Sequence, residues 1–280
     1  MKVLKIIAAL ITTIAATLTV LIYTRGLRTR YDAAVARENA MTPEIPGKIG
    51  AAEMEHLPAI VQKYLKVTGF AGGDKIRNFR LTWDGALRSN AKSPWMSATM
   101  HQENFFHNYS RDFYLTAVMK GLPVSVWHSY HQQAATMQVK IISLFSVVDL
   151  QGENLTTTET VTLFNDMCLM APGALIDKRI RWKELNPLRV EATLTNGAYQ
   201  VKAELVFNEK GELVDFISDD RSYLTPENIL RRERWSTPIS DYRDFSGKRL
   251  ASRGEAIWHL KEGAYAYGKF RLVGIEYNVR

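Results

Sequence analysis

Between residues 179 and 279 the chain alternates apolar and polar positions with a period of two, strand after strand. In L-R-V-E-A-T-L-T (188–195), Val190, Ala192 and Leu194 point one way while Arg189, Glu191 and Thr193 point the other. A half-buried β-strand requires this alternation. Y-Q-V-K-A-E-L-V-F (199–207) repeats it, and Asn196-Gly197 between the two has the residue types of a type I′ hairpin turn. Turn residues recur at 208–211, 246–248 and 261–263. The pattern predicts an antiparallel meander with strands over 179–184, 188–195, 199–207, 213–221, 231–242, 248–260 and 264–277.

The first half carries the same signature. Phe79, Leu81 and Trp83 alternate with Arg80, Thr82 and Asp84, and strands are expected over 76–88, 94–105, 111–119, 123–131 and 134–142. The apolar run 144–150 continues the sheet or forms a bend. A short amphipathic helix is predicted from residue 52 or 58 to 67, with Leu57, Ile60, Val61, Tyr64 and Leu65 on one face and Gly69 as its C-cap. The alternation breaks over 156–169, where Leu163, Phe164 and Met167 fit a helix that Ala171-Pro172-Gly173 terminates. About twelve strands are too many for one flat sheet, which must curl, close or split. The expected class is therefore mainly β (α+β): a large curved antiparallel sheet or half-barrel, covered by one or two helices, with a cavity on its concave face.

The N-terminus adds a membrane segment. The run 6–23 has no charge and four threonines that can bond back to their own helix carbonyls. No small-residue cleavage site follows it near Tyr23-Thr24-Arg25-Gly26, which favours an uncleaved single-pass anchor over a signal peptide. The expected organisation is an anchor over 1–24, a juxtamembrane connector over 25–50, where 31–39 extends the helix, and one β-domain over 51–280. No linker rich in Pro, Gly or Ser divides that domain. The formal net charge is +7, but Lys2, Lys5, Arg25, Arg28, Arg30 and Arg37 all flank the apolar run, so a membrane surface explains much of the excess better than nucleic acid. Counting these charges slightly favours keeping the arginines in the cytoplasm. The single cysteine, Cys168, forms no internal disulfide and fits either side.

Several stretches resemble an uncharacterised family of bacterial membrane-anchored β-domain proteins. They are L-P-A-I-V-Q-K-Y-L (57–65), G-L-P-V (121–124), E-T-V-T-L-F-N-D-M-C-L-M-A-P (159–172), A-T-L-T-N-G (192–197), W-S-T-P-I-S-D-Y-R-D-F (235–245) and G-E-A-I-W-H-L (254–260). The resemblance covers nearly everything beyond the anchor and connector, and it implies no activity. In strand count and helix-covered half-barrel the chain is also similar to the periplasmic lipoprotein-carrier fold, which implies an extracytoplasmic domain, although fold alone does not imply function.

Candidate chemistry is sparse. His101, His107, His128 and His131 fall in or beside neighbouring predicted strands, but His128 and His131 are three apart and so face opposite sides. With no H-E-x-x-H and no cysteine pair, no metal site and no cofactor are expected. Cys168 sits among apolar and acidic neighbours and reads as a small buried hydrophobe. Glu159 with Asp166, Asp219-Asp220, and Asp241 with Asp244 are the carboxylate pairs that could serve acid–base work. Asp220-Arg221 beside Arg231-Arg232-Glu233-Arg234 reads as cross-strand ion pairing.

The reading that follows is a membrane-anchored domain that binds a hydrophobic or amphiphilic ligand, a membrane lipid or acyl chain, in the cavity of the curved sheet. Its expected lining is Trp127, Tyr130, Phe164, Met167, Trp235, Tyr242 and Trp258. The alternatives are an enzyme using histidine or carboxylate chemistry on the same scaffold, and a structural or interaction domain of a cell-envelope complex. Nothing in the sequence fixes the oligomeric state.

Overall fold

The chain is described by a computed structural model over residues 5–7, 10–15, 17, 19, 26–225 and 229–280. Helix α1 (Leu27–Met41) is followed by α2 (Ala51–Met54) and α3 (Ala59–Val67). Six strands come next: β1 (Asn78–Leu87), β2 (Met96–Phe105), β3 (Ser110–Met119), β4 (Leu122–His131), β5 (Ala134–Ile141) and β6 (Phe145–Gln151). Helix α4 (Glu153–Met170) and a 3-10 turn (Pro172–Ile176) lead to β7 (Ile180–Asn186), β8 (Arg189–Asn196), β9 (Tyr199–Phe207) and β10 (Leu213–Ser218). A small hairpin of β11 (Ser222–Leu224) and β12 (Leu230–Arg232) precedes β13 (Arg234–Ser236), β14 (Ile239–Phe245), β15 (Lys248–Leu260) and β16 (Gly263–Tyr277).

Among the described residues fourteen strands form one antiparallel sheet, in the order β6-β5-β4-β3-β2-β1-β16-β15-β13-β10-β9-β8-β7, with β14 also paired to β15. Two meanders are thus joined at the centre, where the last strand pairs with the first: Phe79 lies opposite Tyr277 and Leu87 opposite Gly268. The two edges of the sheet, β6 and β7, are consecutive in sequence, and the chain crosses from one to the other through α4. The sheet rolls around that helix. At one end the turn after β4 meets the turn after β8: Asn196 Nδ2 donates to Tyr130 Oη at 2.7 Å, and the Ala198 amide to Gln133 Oε1 at 3.3 Å. Strands far apart in the sheet touch directly only if it curves.

Helix α4 is buried nearly all round; fifteen of its residues are buried. A helix in that position must satisfy its polar groups internally. Thr156, Thr160 and Thr162 return their hydroxyls to the carbonyls of Gly152, Thr156 and Thr158. At the C-terminus, where carbonyls lose their helical partners, Tyr64 Oη donates to the Cys168 carbonyl and Tyr277 Oη to that of Met170. These two tyrosines tie α3 and the last strand to the central helix. Thr68 is the C-cap of α3, and Gly69 follows it in the left-handed conformation at φ +75°, where a Cβ would stand 2.8 Å from the Gly247 carbonyl oxygen.

Strand 231–242 is interrupted. Pro238, which has no N–H for a ladder, separates β13 from β14, and Glu233 separates β12 from β13. Strand 213–221 stops at Ser218, whose hydroxyl bonds the Lys202 carbonyl, and the chain turns into the hairpin β11–β12. The turn between β8 and β9 is centred one residue later than expected. Asn196 pairs with Tyr199, and only Gly197 (φ +59°) has positive φ, the signature of a type II′ rather than a type I′ turn. The Asn196 side chain is engaged with Tyr130 instead. Type I′ φ angles occur at Lys120-Gly121, Gln132-Gln133 and Ser246-Gly247.

No helix among the described residues is long and apolar enough to cross a membrane. The expected anchor 6–23 falls partly on residues outside those described. Within it Thr17 and Thr19 bond back to the carbonyls of Thr13 and Ala15 at 2.9 and 2.8 Å. Inside the expected connector, α1 lies on the convex face of the sheet, with Leu27, Tyr31 and Val35 packed against Tyr114 and Trp127.

A polar clasp holds α1 there. His131 reaches Glu38 with Nδ1 at 3.2 Å and Asp112 with Nε2 at 3.0 Å. Burial alone would lower the imidazole pKa, but the adjacent carboxylates of Asp112 and Glu38 prevail and raise it to about 9. Glu38 is held down at about 2: burial opposes its charge, and His131 and Asn108 outweigh that. The imidazolium therefore contributes fully below the free histidine value of 6.5 and is lost as pH rises through about 9; the carboxylate contributes fully above 4.5 and is lost as pH falls toward about 2. Hydrogen-exchange protection of α1 is expected to fall on the order of tenfold between pH 6 and pH 9.5. Equal protection factors at both pH values, or the same loss in His131→Gln, would contradict the clasp.

Candidate functional site

The concave face keeps a cavity of about 410 Å³ between α4 and the sheet. Its walls are apolar. Trp83, Leu87, Phe113, Leu115, Val126 and Met137 come from the first meander, and Ile239, Tyr267 and Phe270 from the second. Each points inward because alternate residues of a strand share a face: Phe113 and Leu115 on β3, Val126 and His128 on β4. Leu169 and Met170 close it from the helix side.

The floor is charged. Glu159, Thr162 and Asp166 lie at positions i, i+3 and i+7 of α4, on one stripe of the helix, and all face the cavity. Arg111, almost wholly buried, crosses from β3 to meet them, with Nη1 at 3.0 Å from Glu159 Oε2 and Nε at 2.7 Å from Asp166 Oδ2. Gln102 and Asn104 on β2 donate to the same Asp166 oxygen at 2.7 and 3.2 Å. His128 Nδ1 stands 3.3 Å from Glu159 Oε1.

The two carboxylates diverge in acidity. Burial raises both, but His128 and then Arg111 overcome it at Glu159 and bring its pKa to about 2. At Asp166 burial prevails over Arg111 and the pKa stays above its ordinary value. His128 and Arg111 thus hold Glu159 firmly ionised, while Asp166, which also meets Arg111, keeps its proton more tightly.

Arg221, just before β11, lines the same cavity. Its guanidinium lies over the Trp235 ring at 4.2 Å and donates through Nη1 to Tyr267 Oη at 2.8 Å. The expected cross-strand pairing occurs around it: Arg232 with Asp220 at 3.4 Å and Arg234 with Asp219 at 3.9 Å.

Of the seven residues expected from sequence to line the cavity, only Trp235 does. Trp127 is on the opposite face of β4, beneath α1, with Nε1 donating to Asp112 at 3.0 Å. Tyr130, Phe164 and Met167 are fully buried in the core. Tyr130 bonds Thr160 and Asn196, and Phe164 packs edge-on against Phe216. Tyr242 donates to the Leu213 carbonyl at 2.7 Å, and Trp258 stacks on Tyr267 behind the cavity wall. The histidines do not converge. His101 meets Thr82, His107 meets Thr42, and His128 and His131 face opposite sides as their spacing requires. Among the described residues no group of three or more His, Cys, Asp or Glu side chains could hold a metal ion. Cys168 is fully buried, and burial pushes its thiol pKa well up.

The residues that sequence reasoning missed are Arg111 and Arg221. Arg111 sits in an alternating strand where its neighbours Phe113 and Leu115 are the inward set, so its inward direction was legible; its partners, fifty residues on, were not. Replacing Arg111 by Met strands the buried carboxylates, and a loss of about 3–5 kcal/mol is expected in urea unfolding. Adding Glu159→Gln and Asp166→Asn should recover much of it. A loss unchanged by those two substitutions would mean that Arg111 acts through packing alone.

A family model for a family of unknown function, DUF6544, matches residues 47–270. Comparison with curated proteins finds none that matches. Among solved structures the chain is similar to a DUF1329 family protein from Desulfovibrio piger, at 11% identity and TM-score 0.42, covering 83% of this chain and 95% of that one. A LolA superfamily protein from Nitrosomonas europaea aligns at 9% identity and TM-score 0.40, over 79% and 93%. A putative outer membrane lipoprotein-sorting protein domain from Vibrio parahaemolyticus aligns at 10% and 0.38, over 72% and 86%. Likeness at these scores carries no argument about activity. The match over residues 47–270 does fix the family: the chain belongs to DUF6544.

Proposed function

We propose that this protein binds an amphiphilic ligand, a lipid or acyl chain, in the cavity between α4 and the curved sheet. The observation that carries this is the cavity's composition: about 410 Å³ of space with aromatic and aliphatic walls and a few polar groups gathered on one side. Small-molecule sites have this volume and this division of labour, apolar area giving affinity and a few polar groups giving orientation. The charge-free run 6–23 supports a membrane anchor. An interaction domain alone would fill its interior.

An enzyme reading comes second. Glu159, Asp166 and His128 do face the cavity, but each carboxylate is engaged with Arg111, and Cys168 lies buried away from the space.

Binding of a fluorescent fatty acid to the full chain tests the proposal. Val126→Trp, which fills the cavity from its wall, is expected to weaken binding about tenfold or more. Uptake by wild type that Val126→Trp leaves intact would place the ligand elsewhere, and absence of uptake would remove the proposal's support.

A further inference from the structure

Four arginines line the cavity, and three are committed. Arg111 is held by Glu159 and Asp166, Arg253 by Asp241 at 3.3 Å, and Arg88 by the carbonyls of Ala266 and Ala91. Arg221 differs. Among the described residues no acidic oxygen lies within ion-pair distance of its guanidinium, and its Nε is buried without a hydrogen-bond partner. Glu159 feels its charge but makes its own bonds with Arg111 and His128.

Donor and acceptor accounting around Arg221 is one-sided. Tyr267 Oη accepts from Arg221 Nη1 at 2.8 Å and from Trp235 Nε1 at 3.2 Å. Its lone pairs are thereby used, and its own O–H remains to donate. Arginine has five N–H donors and no acceptor, and the indole N–H is donor only. The group at this end of the cavity is thus rich in donors and lacks an acceptor. Its position is fixed from behind: the Glu233 amide bonds the Arg221 carbonyl at 3.0 Å, the Ser222 amide bonds Thr158 Oγ1 on α4 at 3.0 Å, and Trp235 supports the guanidinium plane. A preformed cation beside a free hydroxyl donor suits an anionic oxygen cluster.

Resting on the proposed amphiphile-binding cavity, we infer that Arg221 and Tyr267 form the headgroup subsite for an anionic single-chain amphiphile, a carboxylate or a phosphate monoester, whose chain lies along the apolar walls.

The test is calorimetry of the full chain with dodecanoate, dodecyl phosphate and dodecanol, at pH 8 so that the carboxylate is ionised. At least one anionic amphiphile is expected to bind about tenfold or more tightly than dodecanol, as one charge-assisted bond in a cavity provides. The tighter of the two anions identifies the headgroup. In Arg221→Gln the ratio of anion to alcohol affinity should fall to within about twofold. Tyr267→Phe, which removes only the hydroxyl, should lower the ratio partway, and it carries the test if Arg221→Gln does not fold. Equal affinity of wild type for all three, with Val126→Trp weakening each, overturns the headgroup subsite and leaves the cavity reading standing. A preference that survives both substitutions also overturns it. Binding of none of the three overturns the subsite and the cavity reading together.

Discussion

The contact between Arg111 and the two carboxylates of α4 is the constraint on which the concave face depends. A helix carrying Glu159 and Asp166 has been placed inside a rolled sheet, where an isolated charge would cost several kcal/mol. Arg111 is the cation that permits it, Gln102 and Asn104 add bonds to the same Asp166 oxygen, and His128 meets the second oxygen of Glu159. Because the helix is held by bonds on one stripe, at Glu159 and Asp166, it stands off from the sheet along that stripe. The space left beside the ion cluster is the cavity. On the other side of the helix Phe164 and Met167 pack fully into the core. Buried polarity on one face and close packing on the opposite face together give the domain both a rigid centre and an opening.

Topology makes the helix central. β6 and β7 are the edges of the sheet and adjacent in sequence, and the link between them, α4, crosses the concave side. The final hairpin β15–β16 returns to the middle, so that the chain's last strand completes the ladder of its first. The central ladder thus joins β1 to β16, and Tyr277 reaches the Met170 carbonyl at the end of the helix.

Much of this was legible in the sequence. Alternation over 179–279 and 76–142 located nearly every strand, because a half-buried antiparallel sheet writes its two faces into alternate residues. The helix over 156–169 was visible as the place where that alternation stops. The cavity lining was not legible, for a physical reason: periodicity says which residues share a face, but not which are covered by the plug. Tyr130 points inward yet lies under Thr160 on α4, whereas Trp127, three residues earlier, faces α1 on the outside. The aromatic residues that do line the space, Trp83, Phe113, Tyr267 and Phe270 among them, carry the same alternation as those packed away in the core. Arg221 was hidden by its neighbours: in a run with Asp220, Arg231 and Arg232 it read as one more surface pair, and only the turn after Ser218 sends it inward.

Native mass spectrometry of the full chain purified from its host, with extraction and identification of any bound lipid, tests the central claim most directly. The account predicts one amphiphile per chain, released on denaturation and absent when Val126 is replaced by Trp. A chain that emerges empty, and stays empty after incubation with lipid extract, would contradict it.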